Sequence, residues 1–322
     1  MRFAIDAMGG DKAPDALIQG TLQAAEHAAG DQFILVGGEE ARPAQPLPAN
    51  VSWRTSSQVM AMDENVQNLL KKRDSSIWIA TKMVKDGEAD AVISAGSTAA
   101  QMAVAVILLG KIDHLLRPAI AITLPSLEGQ KIFLDIGVNA DVEPPMLLQF
   151  AQMGAVYAQA IGVAEQPRVG LLSNGTEEHK GNTLTQEAYA LLNRSDLNFI
   201  GNREGRDLLN GGYDVMVTDG FSGNIAIKSM ESAFHLLTTI LKKELTAGFS
   251  RKMGALLIKP ALREMKKALD YQAYGGAPLL GVKGLSIVCH GSSGAEAIAA
   301  SFQQARNCYQ HRLTDKIAEA IL

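Results

Sequence analysis

What most constrains this chain is a rhythm. Short β-branched runs recur along it: "FAIDAM" from Phe3, "FILVG" from Phe33, "ADAVISAG" from Ala89, "AIAITL" from Ala119, "KIFLDIG" from Lys131, "RVGLLSNG" from Arg168, "DVMVTDG" from Asp214 and "LSIVCHG" from Leu285. Unbroken apolar runs of this length are the pattern of strands buried on both faces. Between most of them lie stretches with helical apolar spacing, such as "PDALIQGTLQAAEHAAG", "QMAVAVILLG" and "LTQEAYALLN". Strands that alternate with helices become parallel neighbours joined by crossovers. The sequence therefore predicts a three-layer α/β/α architecture with a largely parallel sheet. Residues 1–322 read as a single such domain, with no internal repeat or low-complexity linker; the proline-rich "RPAQPLPAN" at 42–50 reads as a loop.

One segment breaks the rhythm. From Ile225 to about Tyr274 the spacing is helical throughout, with breaks expected at Gly248 and at Lys259-Pro260, which predicts a helical hairpin over 225–274 projecting from the sheet. Its middle, "FSRKMGALLIKPALREMKK", sets Phe249, Met253, Leu256, Leu257 and Ile258 against Arg251, Lys252, Lys259, Arg263, Lys266 and Lys267. A basic amphipathic element of this kind suits helix packing, a dimer contact or a membrane surface about equally well.

Composition narrows the function classes. Thirty Lys and Arg against 34 Asp and Glu give a net charge of -4, which argues against sequence-independent nucleic-acid binding. The two cysteines, Cys289 and Cys308, have neither metal-ligand spacing nor the number for a disulfide scaffold, so a reducing, cytoplasmic setting is expected. "MRFAIDAMGGDKAP" enters a strand directly, without the pattern of a secretory signal, and no run reaches the roughly 20 apolar residues of a spanning helix. Membrane contact would be peripheral.

In open α/β sheets ligands sit beyond the carboxyl ends of the strands. Here those ends read "DAMGGD" (Asp6 to Asp11), "SAGST" (Ser94 to Thr98), "DIGVNAD" (Asp135 to Asp141), "SNGTEEHKGN" (Ser173 to Asn182), "DGFSGN" (Asp219 to Asn224) and "HGSSG" (His290 to Gly294). Glycine lets backbone N–H groups approach an anion, and Ser, Thr or Asn before a helix aims free donors at it. Any one loop is more often an N-cap, and Thr98, Ser222 and Ser293 fit that bland role. Capping does not require glycine at nearly every strand end, so a small anionic substrate is the better common cause. Nucleotide signatures are incomplete, and "GFSGN" does not match a G-x-S-x-G nucleophile elbow. Extended chain at Cys289-His290 would point the two side chains to opposite faces, against a Cys-His dyad. Asp214, Asp219, Glu177 and Glu178 offer only an unspecific metal set, and no metal or cofactor is expected.

The blocks "DAMGGD", "ISAGSTAA", "TLP", "LDIGVNAD", "RVGLLSNGTEEHKGN", "FIGNREGRDLL", "DVMVTDGFSGNIAIK", "YGGAPLLGVKG" and "HGSS", in order from Met1 to about Ser293, resemble the PlsX-type phosphate acyltransferases of bacterial phospholipid synthesis. The resemblance implies transfer of a fatty acyl chain from acyl carrier protein to inorganic phosphate. It also implies a fold akin to isopropylmalate dehydrogenase and phosphotransacetylase, a homodimer, and loose attachment to the inner face of the membrane, where a glycerol-3-phosphate acyltransferase would take the product. The family usually has "SAGNTGA" where this chain carries Ser97 and Ala99, and "GANVD" where it has "GVNAD".

Residue chemistry and resemblance together give a candidate site. Lys180 would neutralise phosphate or the oxyanion, Asn224 would donate to the oxyanion, and His290 would protonate the leaving thiolate. Gly9, Gly10, Ser97, Thr98, Asn139, Asn174, Gly175, Thr176, Asn182 and Ser292 would cradle phosphate, and Met253, Leu256, Leu257 and Ile258 would meet the membrane or the acyl chain. A phosphotransacetylase-like enzyme using acyl-coenzyme A, a metal-dependent dehydrogenase and a non-catalytic carrier-protein scaffold are the alternatives.

Overall fold

The computed structural model describes residues 1–269 and 275–321. In chain order its elements are β1 (Arg2–Asp6), α1 (Asp15–Glu26), β2 (Gln32–Gly37), β3 (Val51–Thr55), α2 (Ser76–Lys85), β4 (Ala91–Ser94), α3 (Thr98–Leu108), β5 (Ala119–Ser126), β6 (Gly129–Leu134), α4 (Pro144–Ala160) and β7 (Val169–Leu172). There follow α5 (Thr183–Leu192), β8 (Phe199–Arg203), α6 (Asp207–Asn210), β9 (Val215–Val217), α7 (Gly220–Thr246), α8 (Phe249–Leu269), β10 (Ala277–Leu280), β11 (Leu285–Val288), α9 (Ala295–Gln310) and α10 (Leu313–Ala320). The strands form one sheet in the order β3-β2-β1-β4-β11-β10-β5-β6-β9-β7-β8.

Three layers follow from side-chain alternation. Phe3 and Ile5 of β1 face a core built with Leu17 of α1, Phe150 of α4, Phe302 of α9 and Leu313 of α10. Ala4 faces the other way, onto Ile77 and Trp78 of α2 and Val104 of α3. The rings of Phe3, Phe33 and Phe302 pack with centroids 5.0–5.4 Å apart, fixing α9 on the sheet.

The sheet is parallel except at β11–β10, β10–β5 and β5–β6. These three pairings reverse the strand direction, so β1, β4 and β11 run against β6, β9 and β7. Register shows what this does. Val288, ending β11, pairs with Ala277; Leu279 pairs with Ile120; and Leu134, ending β6, pairs with Ala121. Counting across, the last residues of β11 and β6 lie within about one residue of each other along the strand direction, ~3 Å. Two parallel half-sheets therefore meet with their carboxyl ends face to face. The six glycine-rich loops divide three and three across that cleft.

The expected helical segment forms α7 and α8, turning at Gly248, whose φ of +94° suits glycine. Two details differ from expectation. First, α7 starts at Gly220 rather than at Ile225, because Asp219 accepts a hydrogen bond from Ser222 N (2.7 Å) and begins the helix at the strand end. Second, α8 runs through Pro260 instead of breaking there. Proline removes one backbone donor, and the strong helix formers that follow, Ala261, Leu262, Arg263 and Glu264, carry the helix past it. Beyond Ile227 no described residue of either helix is buried. The end of the expected hairpin, 270–274, lies outside the described residues, as do the side chains of Lys266 and Lys267.

Candidate active site

His290 stands where β11 ends. Cys289 N still donates to Ser94 O (2.8 Å) as the ladder's last bond; the chain then turns through Gly291 and Ser292. On one side the imidazole Nδ1 lies 2.7 Å from Ser292 Oγ and 3.2 Å from Ser292 N. On the other, Nε2 lies 3.1 Å from Lys228 Nζ, on a helix that grows from the opposite half-sheet. An ammonium has only donors and so has the Ser292 N–H, so Lys228 at Nε2 and Ser292 N at Nδ1 compete for the single acceptor nitrogen of a neutral imidazole. Glu231 Oε2 holds the lysine at 3.1 Å, and Glu231 Oε1 is 3.8 Å from Nε2. Lys12 Nζ donates to Ser292 O (2.5 Å), tying the β1 loop to the same turn. Asn224, Lys228 and Glu231 are spaced i, i+4, i+7, so they share one face of α7, and that face looks at His290.

Each half-sheet also buries a carboxylate at a strand end. Asp6 accepts from Ser94 Oγ (2.7 Å) and Met8 N (3.3 Å). Asp135 accepts from Ile120 N (3.1 Å), Asn139 N (2.8 Å) and Asn139 Nδ2 (2.9 Å). Burial raises both carboxyl pKa values above the ordinary aspartate range, and these hydrogen bonds only partly offset it. The neighbouring loops close over them. A Cβ on Gly9 would sit 2.5 Å from Asp6 Oδ2 and 2.7 Å from Gly96 N, and one on Gly223 would overlap the Asp135 carbonyl, so only glycine lets α7 start this close to β6.

The remaining sequence-predicted residues distribute unevenly. Gly9, Gly10, Ser97, Thr98 and Ser292 stand at the ends of β1, β4 and β11, on the half-sheet that carries His290. The capping role does not use Thr98 or Ser293: α3 starts after Ser97, which makes no capping bond, and α9 starts after Gly294. Asn174, Gly175, Thr176 and Lys180 sit in the loop after β7, and β9 separates that strand from β6. Among the described residues no hydrogen bond or ion pair joins Lys180 to His290 or Asn224. Beneath the loop, Ser173 Oγ and Arg203 Nε are buried without a partner.

Three expected phosphate ligands have other work. Asn139 spends its amide nitrogen on Pro118 O (2.8 Å) and Asp135 Oδ2 (2.9 Å), which turns it inward. Asn182 caps α5, its Oδ1 accepting from Thr185 N (2.9 Å). Asn174 Oδ1 likewise accepts from Gly181 N (2.9 Å), pinning the loop on itself. The sequence reading passed over Lys228, Glu231, Lys12, Asp6 and Asp135. The one signal available for Lys228 was its i+4 spacing from Asn224 just after a strand-end glycine loop.

Beside His290 lies a cavity of about 100 Å³, lined by Ile120, Ile122, Ile136, Ala277, Val288 and Cys289, with Thr98, Thr123, His290 and Ser293 supplying polar atoms. Cys289 and His290 thus share one cavity rather than opposite faces, because β11 ends at Val288 and strict alternation ends with it. Burial pushes the Cys289 thiol up to about 12, so it stays a neutral thiol. Of the carboxylates weighed for a metal, Asp214 pairs with Lys131 and Arg168, and Asp219 caps α7. Among the described residues no group of three or more His, Cys, Asp or Glu converges as a metal site.

Known proteins share this fold. Solved structures of similar fold include the phosphotransacetylase of Streptococcus pyogenes, with a TM-score of 0.58 and 17% identity over 100% of this chain and 94% of that one. EutD phosphotransacetylase from Staphylococcus aureus has a TM-score of 0.57 and 16% identity over 99% and 94%. At sequence level, the phosphate acyltransferases of Desulfitobacterium hafniense (strain DSM 10664 / DCB-2) and Heliobacterium modesticaldum are 47% and 48% identical, each over 100% of this chain and 98% of the relative. That of Campylobacter lari is 43% identical over 99% and 97%. A family model described as "Fatty acid synthesis protein" matches residues 1–316. A cleft built from opposed strand ends, on a chain matched end to end by such relatives, places this protein in the PlsX family of phosphate acyltransferases.

Proposed function

We propose that the chain transfers a fatty acyl group from acyl carrier protein to inorganic phosphate, giving acyl phosphate for phospholipid synthesis. The observation that carries this reading is the Lys228–His290 contact across the cleft, a mobile proton and a positive charge set among glycine-rich strand ends. Phosphate is partly dianionic near neutral pH, so it needs positioning more than a strong base. One phosphate oxygen attacks the thioester carbon, the carbon–oxygen bond forms, and the carbon–sulfur bond breaks through a tetrahedral oxyanion. Asn224 donates to that oxyanion, while Lys180 and Lys228 offset the added negative charge. The leaving thiolate takes its proton from the Lys228–His290 pair: the ammonium is the source and Nε2 the acceptor that hands it on. Cys289, held as a thiol, takes no acyl group.

The rest of the reading concerns surroundings. The exposed hairpin rests on the inner face of the membrane as a peripheral element, with Met253, Leu256, Leu257 and Ile258 toward lipid. The chain works as a cytoplasmic homodimer and passes its product to a membrane-bound glycerol-3-phosphate acyltransferase. Exposure of Phe249 (81%) and Leu257 (84%) beside Arg251 and Lys252 supports this reading. No helix of the described residues is long and apolar enough to cross a membrane.

Palmitoyl-acyl carrier protein incubated with radiolabelled phosphate should yield labelled acyl phosphate. Acetyl-coenzyme A and nicotinamide cofactors run alongside should give little. Equal or greater turnover of acetyl-coenzyme A would replace this reading with the phosphotransacetylase one.

A further inference from the structure

We infer that the cavity beside His290 is the slot for the first carbons of the acyl chain, which moves the hydrocarbon site from the exposed hairpin to the seam between the half-sheets. The inference rests on the proposed acyl transfer. Its lining is the reason. Ile120 and Ile122 of β5, Ala277 of β10 and Val288 of β11 come from the antiparallel strands that join the two half-sheets, and Ile136 closes the group from the loop after β6. These walls have no reason to leave space for themselves, since buried side chains normally pack to near-crystal density. Here space remains, and it touches the same His290 whose Nε2 meets Lys228.

Position sets the orientation of an occupant. His290, Thr98 and Ser293 are the polar side chains that the strand-end loops bring to the lining, beside Thr123 of β5, so a thioester carbonyl sits with the three at the strand ends and its alkyl chain runs along the isoleucines. Phosphate, held by the strand-end loops, then meets the carbonyl from the cleft. The volume limits how much chain enters. Apolar cavities of about 150 Å³ hold a six-carbon ring, so about 100 Å³ takes on the order of four carbon atoms. Longer chains must extend beyond the slot.

The test uses straight-chain alkylphosphonates from ethyl to octyl, which carry a phosphate-like head and no reactive bond, with binding to the full chain measured by calorimetry. In the wild type, affinity should rise about fourfold per added methylene up to roughly four carbons and then flatten. Ala277→Leu, which fills the slot, should abolish that rise while changing ethylphosphonate binding less than about twofold. Val288→Ile, a smaller intrusion, should bring the plateau one carbon earlier. A wild-type series with no chain-length dependence overturns the inference without relying on any variant's folding. So does an Ala277→Leu variant, folded by thermal melting, that keeps the wild-type rise. If the rise is present but palmitoyl-acyl carrier protein and phosphate give no acyl phosphate, the slot stands and the proposed reaction falls.

Discussion

The cleft and the hairpin solve opposite problems. In the cleft, polar groups are matched to partners inside the same chain: Asp6 to Ser94 and Asp135 to Asn139 in the interior, His290 to Lys228 and Ser292 at its surface. On the hairpin, apolar groups are left in water with nothing of the chain over them: Leu236, Leu237, Phe249, Leu256 and Leu257 are each more than half exposed. Folding of one chain accounts for the first region and leaves the second unexplained. The proposed membrane contact would cover that surface. Chemistry should therefore fail when the cleft is altered and attachment when the hairpin is altered, with little exchange between the two.

The largest expected effect is in the cleft. Lys228→Ala, His290→Ala and Asn224→Ala should each lower kcat by about 10²–10³, the cost of losing a preorganised donor to a developing negative charge. Sedimentation with anionic liposomes should not change. If kcat for acyl phosphate formation stays within about threefold in all three folded variants, the cleft face of α7 is not where the reaction happens.

Next comes the reverse experiment. Leu257→Asp combined with Ile258→Asp should abolish liposome sedimentation, because burying a carboxylate in the acyl boundary is costly where burying leucine is favourable. Turnover of a soluble acyl thioester should move by less than about twofold, and the melting temperature hardly at all, since neither side chain is buried in the monomer. Retained sedimentation would assign the apolar surface to a dimer contact instead, which analytical ultracentrifugation of the same variant reads directly.

How much of this was legible in the sequence follows the same division. The eight apolar runs beginning at Phe3, Phe33, Ala89, Ala119, Lys131, Arg168, Asp214 and Leu285 all mark strands, because burial on both faces writes itself as continuous hydrophobicity. The strands passed over are β3, β8 and β10. The first two lie at the sheet's edges, where one side pairs with nothing and a sequence such as "VSWRT" can be half polar. β10 is four residues containing Pro278. That omission hid the most important fact about the site, because β10 and β5 reverse the direction of half the sheet and bring two sets of strand ends together. Lys228 was invisible for a related reason. It reads as an ordinary exposed helical lysine, and its partner His290 lies 62 residues on in sequence. Glycine-rich ends are local and could be read, whereas pairings across the cleft are not.

A third prediction contrasts the two ends of one strand. The carboxyl end of β9 leads into Asp219 and α7; just before its amino end, Asp214 accepts from Arg168 Nε (3.0 Å), Arg168 N (2.9 Å) and Lys131 Nζ (3.2 Å). Burial pushes the Asp214 carboxyl up, but the hydrogen bonds and charges of Arg168 and Lys131 outweigh it and hold the pKa at about 2. A carboxyl pKa depressed in the folded state stabilises above its unfolded value of 3.8, and that stability drains away as pH falls from there toward 2. Asp214→Asn should cost about 2 kcal/mol at neutral pH and flatten the loss of stability between those two values, measured by urea unfolding. Its kcat should stay near wild type, because the strut lies at the end of the strand away from the cleft.

The smallest effect separates two neighbours in the crowded loop after β7. Lys180 belongs to the proposed chemistry, whereas Asn182 Oδ1 caps α5 through Thr185 N. Asn182→Ala should cost about 1 kcal/mol in stability, the usual value of a lost N-cap, with turnover changed by less than about twofold; Lys180→Ala should do the opposite. Asn182→Asp makes the distinction sharper. It keeps the capping oxygen and removes the amide donor, so a capping residue tolerates it and a phosphate ligand does not. A folded Asn182→Asp variant whose KM for phosphate rises about tenfold with kcat unchanged would return Asn182 to the phosphate site and make its cap incidental.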